Sequence, residues 1–193
     1  QCIKCPATTY SALPGATGSG DCIPCAKGKF STAPAGAASE DICQPCPTGT
    51  YSIAGAESCS KCAPGEFQDS EGESSCTSAD AGSYVPAAGL SEQTPCPAGN
   101  YSGSAASECA ACGPGYATAD GIDCVICPSG RSSGNASNVE CGVCPAGTYS
   151  IAGASECAEC EEGSFSDDAA FVCTLCPAGQ SSAARASECE PCP

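Results

Sequence analysis

Cysteine spacing constrains this chain more than anything else in it. Cysteines recur as C-x-x-C steps at Cys2/Cys5, Cys22/Cys25, Cys43/Cys46, Cys59/Cys62, Cys109/Cys112, Cys124/Cys127, Cys141/Cys144, Cys157/Cys160, Cys173/Cys176 and Cys189/Cys192. Two half-steps lie in the middle: the second position after Cys76 is Ala79, and the first position before Cys96 is Gln93. Counting these, twelve steps frame eleven loops, and first cysteines advance by 15 to 21 residues with a period near 16. The stretch CQPCPTGTYSIAGAESCSKC, Cys43 to Cys62, returns almost unchanged as CGVCPAGTYSIAGASECAEC, Cys141 to Cys160. Self-similarity at a fixed period marks a repeat array. Residues 1–193 therefore read as tandem cysteine-rich repeats, with a degenerate loop at 79–93 and no linker long enough to divide them.

The loops, numbered 1 to 11 in chain order, share a turn. The third residue after the second cysteine is Gly in ten of eleven, Thr8 being the exception. The fifth is aromatic in eight: Tyr10, Phe30, Tyr51, Phe67, Tyr84, Tyr101, Tyr149 and Phe165; Tyr116 is the same residue after a one-residue deletion. Pro presets its own φ, Gly supplies a backbone shape closed to other residues, and the ring is expected to cover the adjacent disulfide. Loops 1 and 2 carry Gly-, Ala-, Ser- and Pro-rich insertions around 13–20 and 33–40. The expected fold is a set of small disulfide-rich repeats, an elongated array of short β-hairpin and turn modules with little or no helix.

Composition makes sulfur necessary. There is no Trp, Met or His, and much of the 41% hydrophobic content is Ala and Cys, so large side chains are too few to offset the entropy of ordering. Disulfides must take over, which places the chain in an oxidising, extracellular or cell-surface setting. Asn100-Tyr-Ser and Asn135-Ala-Ser are N-glycosylation sequons and point the same way. A net charge of −16 argues against nucleic acid and anionic membrane surfaces as partners, and no apolar run is long enough to insert in a bilayer. Gln1 follows no charged-then-apolar leader, so the chain reads as a mature segment of something longer.

The central defect bears on pairing. The two missing cysteines are the second one before loop 5 and the first one after it, which is what the loss of both ends of one bond would leave. Pairing each second cysteine with the next first one gives Cys5–Cys22, Cys25–Cys43, Cys46–Cys59, Cys62–Cys76, Cys96–Cys109, Cys112–Cys124, Cys127–Cys141, Cys144–Cys157, Cys160–Cys173 and Cys176–Cys189. Each such loop is worth roughly 3 kcal/mol by chain-entropy arithmetic. Cys2 and Cys192 are then left for bonds between subunits or to flanking repeats. A nested scheme stays open, with Cys2–Cys25 outside Cys5–Cys22, Cys43–Cys62 outside Cys46–Cys59, and Cys76–Cys96 alone. If every loop closes on itself, the chain advances by C-x-x-C steps into a rod on the order of 100 to 180 Å long.

The string C-P-x-G-x-Y-S, with Cys about thirteen residues after the first, resembles the cysteine-rich repeats of ephrin-type receptors and the first loop of the tumour-necrosis-factor-receptor repeat. That resemblance implies the bonds Cys46–Cys59, Cys96–Cys109 and Cys144–Cys157. The second half-repeat of the receptor pattern and its basic, bulky contact residues are missing. In being rich in Ala, Gly and Ser, the array is similar to extracellular proteins of algae and other protists, including mastigoneme-type flagellar hairs.

Chemical roles find little support. Paired C-x-x-C steps are the shape of a zinc ribbon, but the sequons, the sustained period and the two-ligand site the defect would leave argue against it. Nothing singles out one step as a redox site. Calcium through Glu159, Glu161, Glu162, Asp167 and Asp168 lacks a loop that orders those oxygens. Without His or a distinctive nucleophile no catalytic constellation can be nominated, so the chain reads as a non-enzyme that needs no cofactor. The sequence favours a structural extracellular protein, a glycosylated rod joined to itself head to tail. The alternative is a receptor or adhesion ectodomain in which a few modules bind ligand and the others form a stalk.

Overall fold

The computed structural model describes residues 3–13 and 18–192. Each loop is a minimal hairpin. In loop 3, Pro47 accepts the Thr50 N–H at 3.2 Å across a turn whose third residue, Gly49, sits at φ +76, the left-handed shape this turn demands. The Thr50 hydroxyl donates to the same carbonyl at 2.6 Å. Thr50–Tyr51 then pairs antiparallel with Ser60–Lys61, the residues inside the next C-x-x-C step, with Tyr51 opposite Ser60. The N–H of Cys62 closes the ladder on the Gly49 carbonyl at 3.0 Å. Among the described residues this pattern gives eleven two-stranded sheets, and the regular helical structure is two single 3-10 turns in the inserted loops, Ser19–Asp21 and Glu40–Ile42. The Ser39 hydroxyl caps the second by accepting from the Asp41 N–H.

Successive loops are joined by main-chain hydrogen bonds in a repeating register. In loop 8 the Gly130 N–H donates to Ser150 O of loop 9 at 2.8 Å, and the Ser133 N–H donates to Ala154 O at 3.2 Å. Coming back, the Gly153 N–H reaches Cys127 O at 2.8 Å. The next pair of loops repeats it with Gly147 to Ser166, Ser150 to Ala170 and Ala169 to Cys144. At Ala56, Ala170 and Ala186 the acceptor residue also forms an isolated parallel bridge with the ring residue of the preceding loop. Buried backbone groups that would otherwise be orphaned are thus satisfied by the neighbouring loop.

The interior is a file of small groups. Cys25, Cys46, Cys62, Cys112, Cys127 and Cys144 are wholly buried. Beside them lies the sixth residue after each second cysteine: Ser31, Ser52, Ser102, Ser133, Ser150 and Ser166 are also buried. Their hydroxyls are not wasted, since Ser133, Ser150 and Ser166 donate to the carbonyls of Tyr116, Arg131 and Thr148 in the preceding loop at 2.8 to 2.9 Å. A buried hydroxyl with a partner costs little, and one side chain of this size fits where loops stack closely. The rings are half-buried flanks, and Tyr116 is not one of the series expected from the sequence: it pairs with Ile126 as Thr148 pairs with Glu159, Ala117 takes the ring's place opposite Val125, and Tyr116 is 41% exposed.

The chain divides into two compact units: Gln1–Thr94 with Ser104–Glu108, and Pro95–Gly103 with Cys109–Pro193. They interleave in sequence, so no linker separates them. Each unit is built on the same loop-to-loop register.

The recurring Gly does more than turn the chain. At Gly130, φ +80, a Cβ would lie 2.1 Å from the carbonyl oxygen of Ala169, two loops on; at Gly147 it would lie 2.1 Å from that of Arg185. At Gly72, φ +76, a Cβ would meet only ordinary contacts, the nearest being Pro45 at 3.6 Å. Gly72→Ala is therefore expected to cost only the about 1–2 kcal/mol of holding an L-residue in the left-handed region. Gly130→Ala must also displace the Ala169 backbone, and its loss is expected to be clearly larger. Denaturant unfolding with the disulfides kept oxidised measures both, and equal losses would contradict the close approach.

Candidate functional site: the disulfide ladder and its sulfur-free loop

Ten disulfides close the loops: Cys5–Cys22, Cys25–Cys43, Cys46–Cys59, Cys62–Cys76, Cys96–Cys109, Cys112–Cys124, Cys127–Cys141, Cys144–Cys157, Cys160–Cys173 and Cys176–Cys189. These are the bonds of the uniform scheme, not the nested one, for every pair the two schemes assign differently among the described cysteines. Their Cα–Cα separations run from 5.4 to 5.8 Å, as unforced bridges require. Among the described residues Cys192 is the free cysteine, and it is exposed. Cys2 lies outside the described residues.

Loop 5 shows what stands in for sulfur. Ala79 and Val85, at the positions of the buried Cys and Ser of other loops, are both fully buried, and Val85 is the largest such side chain in the structure. At the mouth of the loop, where the bond would be, Gln93 accepts the Asp80 N–H on Oε1 at 2.7 Å and donates from Nε2 to Asp80 Oδ2 at 2.7 Å. The two partners are thirteen residues apart, the separation five of the ten disulfides span. The neighbours keep their register: Ala79 N–H to Gly65 O at 2.9 Å, Val85 N–H to Ala106 O at 3.0 Å, and Ala105 N–H back to Ala79 O at 2.8 Å. Sequence reasoning located the missing bond but not the clamp; an Asp beside the lost cysteine and a Gln in place of the other were its signal.

The two sequon asparagines differ. Asn100 is half-buried and accepts the Ser137 hydroxyl at 3.1 Å. Asn135 is exposed, with its backbone carbonyl taking the Asn138 side-chain amide. Of the acids considered for calcium, Glu159 and Glu161 line one open groove with Tyr149, Val172 and Leu175, but Glu159 also pairs with Arg185 at 3.3 Å and Asp168 accepts the Ala146 N–H at 2.7 Å. Among the described residues no three metal-binding side chains come together.

Charge is used locally. Lys29 and Glu40 meet at 2.7 Å; the hydrogen bond and the opposite charge lower the Glu40 pKa and raise that of Lys29, although both side chains are too exposed for the pair to add much stability. In the shortest closed loop, Cys112 to Cys124, Asp120 rebuilds the turn: its Oδ1 accepts the Ile122 N–H at 3.0 Å and the Thr118 hydroxyl at 3.2 Å. The Ile122 bond first, then the Thr118 bond, holds this carboxyl below the usual aspartate range.

Residues 49–78 and 147–188 match the family described as tyrosine-protein kinase ephrin type A/B receptor-like, a match that spans less than half of the chain. Comparison of the whole chain with curated proteins gives no significant match. The ten closed loops make the chain a cysteine-rich repeat array, and its two matched stretches are similar to ephrin-receptor-like modules.

Because the folded pKa of Asp120 is lowered, its contribution to the turn is present above the ordinary aspartate pKa and lost as pH falls through the folded value. The Ile122 amide resonance is therefore expected to titrate at lower pH than a model aspartate, in step with Asp120, while the disulfide-closed fold persists. An Ile122 amide insensitive to acid would contradict the assignment.

Proposed function

We propose that this is a structural extracellular protein, a disulfide-stapled and glycosylated array whose units join end to end into a filament or surface layer. The observation that carries the reading is the uniform loop-to-loop register: each loop spends its backbone groups on the next, and the loops differ in surface side chains more than in build. A spacer needs that common register, and even loop 5, which lacks the bond, keeps it to both neighbours. The oxidised ladder supports a location outside the reducing cytosol. The net charge of −16 gives such a surface self-repulsion and solubility.

The joint we assign to Cys192, exposed and unbonded, with Cys2 of the next copy or a cysteine of a flanking repeat as the partner thiol, so that each copy is bonded at both ends in an oxidising setting. Native material is then expected to run as long polymers that fall to a single species on reduction, and Cys192→Ser is expected to leave it monomeric. A monodisperse, unreduced monomer would remove the end-to-end reading. A second reading, a receptor or adhesion stalk, draws on the receptor-like description of the matched family. Capture of a protein ligand by such a monomer would favour it.

Asn135 is the better glycan site, because its side chain stands in solvent while that of Asn100 is engaged with Ser137. In a eukaryotic secretory host, Asn135→Gln is expected to remove one N-glycan mass and Asn100→Gln none. The reverse pattern by intact mass would overturn the assignment.

A further inference from the structure

Loop 5 does something under tension that the other loops cannot. A force applied along the chain follows covalent bonds, and wherever a disulfide closes a loop the force passes through sulfur and bypasses the loop's residues. From Cys5 to Cys76 the path crosses the bonds Cys5–Cys22, Cys25–Cys43, Cys46–Cys59 and Cys62–Cys76, with two residues between one bond and the next. From Cys96 to Cys189 it crosses six more in the same way. Between Cys76 and Cys96 there is no bond, and residues 77–95 carry the force themselves.

What holds that stretch folded is non-covalent. Its mouth is closed by the two Asp80–Gln93 hydrogen bonds, and its body is held by Val85, wholly buried, and by main-chain bonds to loops 4 and 6.

We propose that loop 5 is a reversible extension element: a single release point that lengthens the array under tension without breaking a covalent bond, and refolds when tension falls. The proposal goes beyond assembly and holds whether or not copies join end to end. Its scale follows from the chain alone. Twenty residue steps from Cys76 to Cys96, at about 3.3–3.6 Å each when extended, allow a gain on the order of 60–70 Å less the folded span.

Single-molecule pulling of the full oxidised chain, held by terminal peptide tags, tests it. One discrete release of that length is expected, recovered on relaxation. Asp80→Ala with Gln93→Ala is expected to keep the length and lower the force. Ala79→Cys with Gln93→Cys, where peptide mapping shows the introduced cysteines bonded, is expected to abolish the release, and reductant is expected to restore it among releases from the other loops. Absence of the release in the unmodified chain, or its persistence at full length in the bonded variant, would overturn the proposal. If the introduced cysteines do not bond, the Asp80→Ala, Gln93→Ala force decides, and an unchanged force overturns the clamp.

Discussion

The structure depends on one economy: each loop completes its backbone hydrogen bonding with the loop that follows. A loop whose ends lie twelve to eighteen positions apart, with few large side chains, cannot enclose its own polar backbone, and here it does not have to. Gly130 to Ser150, Ser133 to Ala154 and Gly153 to Cys127 make one such joint. A hydrogen bond of this kind contributes about 0.5–1.5 kcal/mol net. Ordering one residue costs about 1–2 kcal/mol in backbone entropy. Three bonds per joint cannot offset a whole loop. The disulfides lower that cost by restricting the unfolded chain before any stacking occurs. Sulfur thus lowers the cost of order, and the backbone register selects which order results.

That division explains what the sequence revealed and what it hid. The pairing was legible because a disulfide has two ends, and Ala79 and Gln93 are the two ends of one absent bond. The glycines were legible as turn residues, since a left-handed third position announces itself locally. Their second constraint was not, because the carbonyl that meets Gly130 belongs to Ala169, thirty-nine positions away. The buried serine file was present at a fixed offset in Ser31, Ser52, Ser133, Ser150 and Ser166, yet a serine after an aromatic in a small loop reads as solvent-facing. Alternation along the two-residue strand puts the ring on the flank and the next side chain inside. Stacking distance then favours the small residue over the ring. Asp120 was hidden for a different reason: its task exists only because its loop is one residue short.

Position within the stack also separates residues that look alike in sequence. Gly65 and Gly72 lie in one loop and share a left-handed backbone, yet a Cβ on the first would meet the Ala105 carbonyl oxygen at 2.2 Å and on the second only Pro45 at 3.6 Å. The exposed C-x-x-C interiors show the same latitude, carrying Val125–Ile126 in one step and Ala158–Glu159 in another. Inward positions are fixed by packing, and outward ones are free to vary in chemistry.

Loop 5 shows how far the scheme bends. Removing a disulfide alone would leave a small void and an open mouth. Ala79 keeps the void minimal, and Val85 replaces a buried hydroxyl with apolar volume, which favours burial by about 0.8 kcal/mol per methylene. Val85 cannot donate to the preceding loop as Ser133 or Ser150 does, so the loop exchanges a polar tie for packing. Gln93 then restores the mouth by giving one bond and taking one, which no apolar residue could do there. The native geometry survives in full, as the register to Gly65 and Ala106 shows, while the restriction on the unfolded chain is lost. A contact that exists only in the folded state has replaced one that acts in both, and loop 5 is the place where opening the array and keeping it covalently intact are compatible.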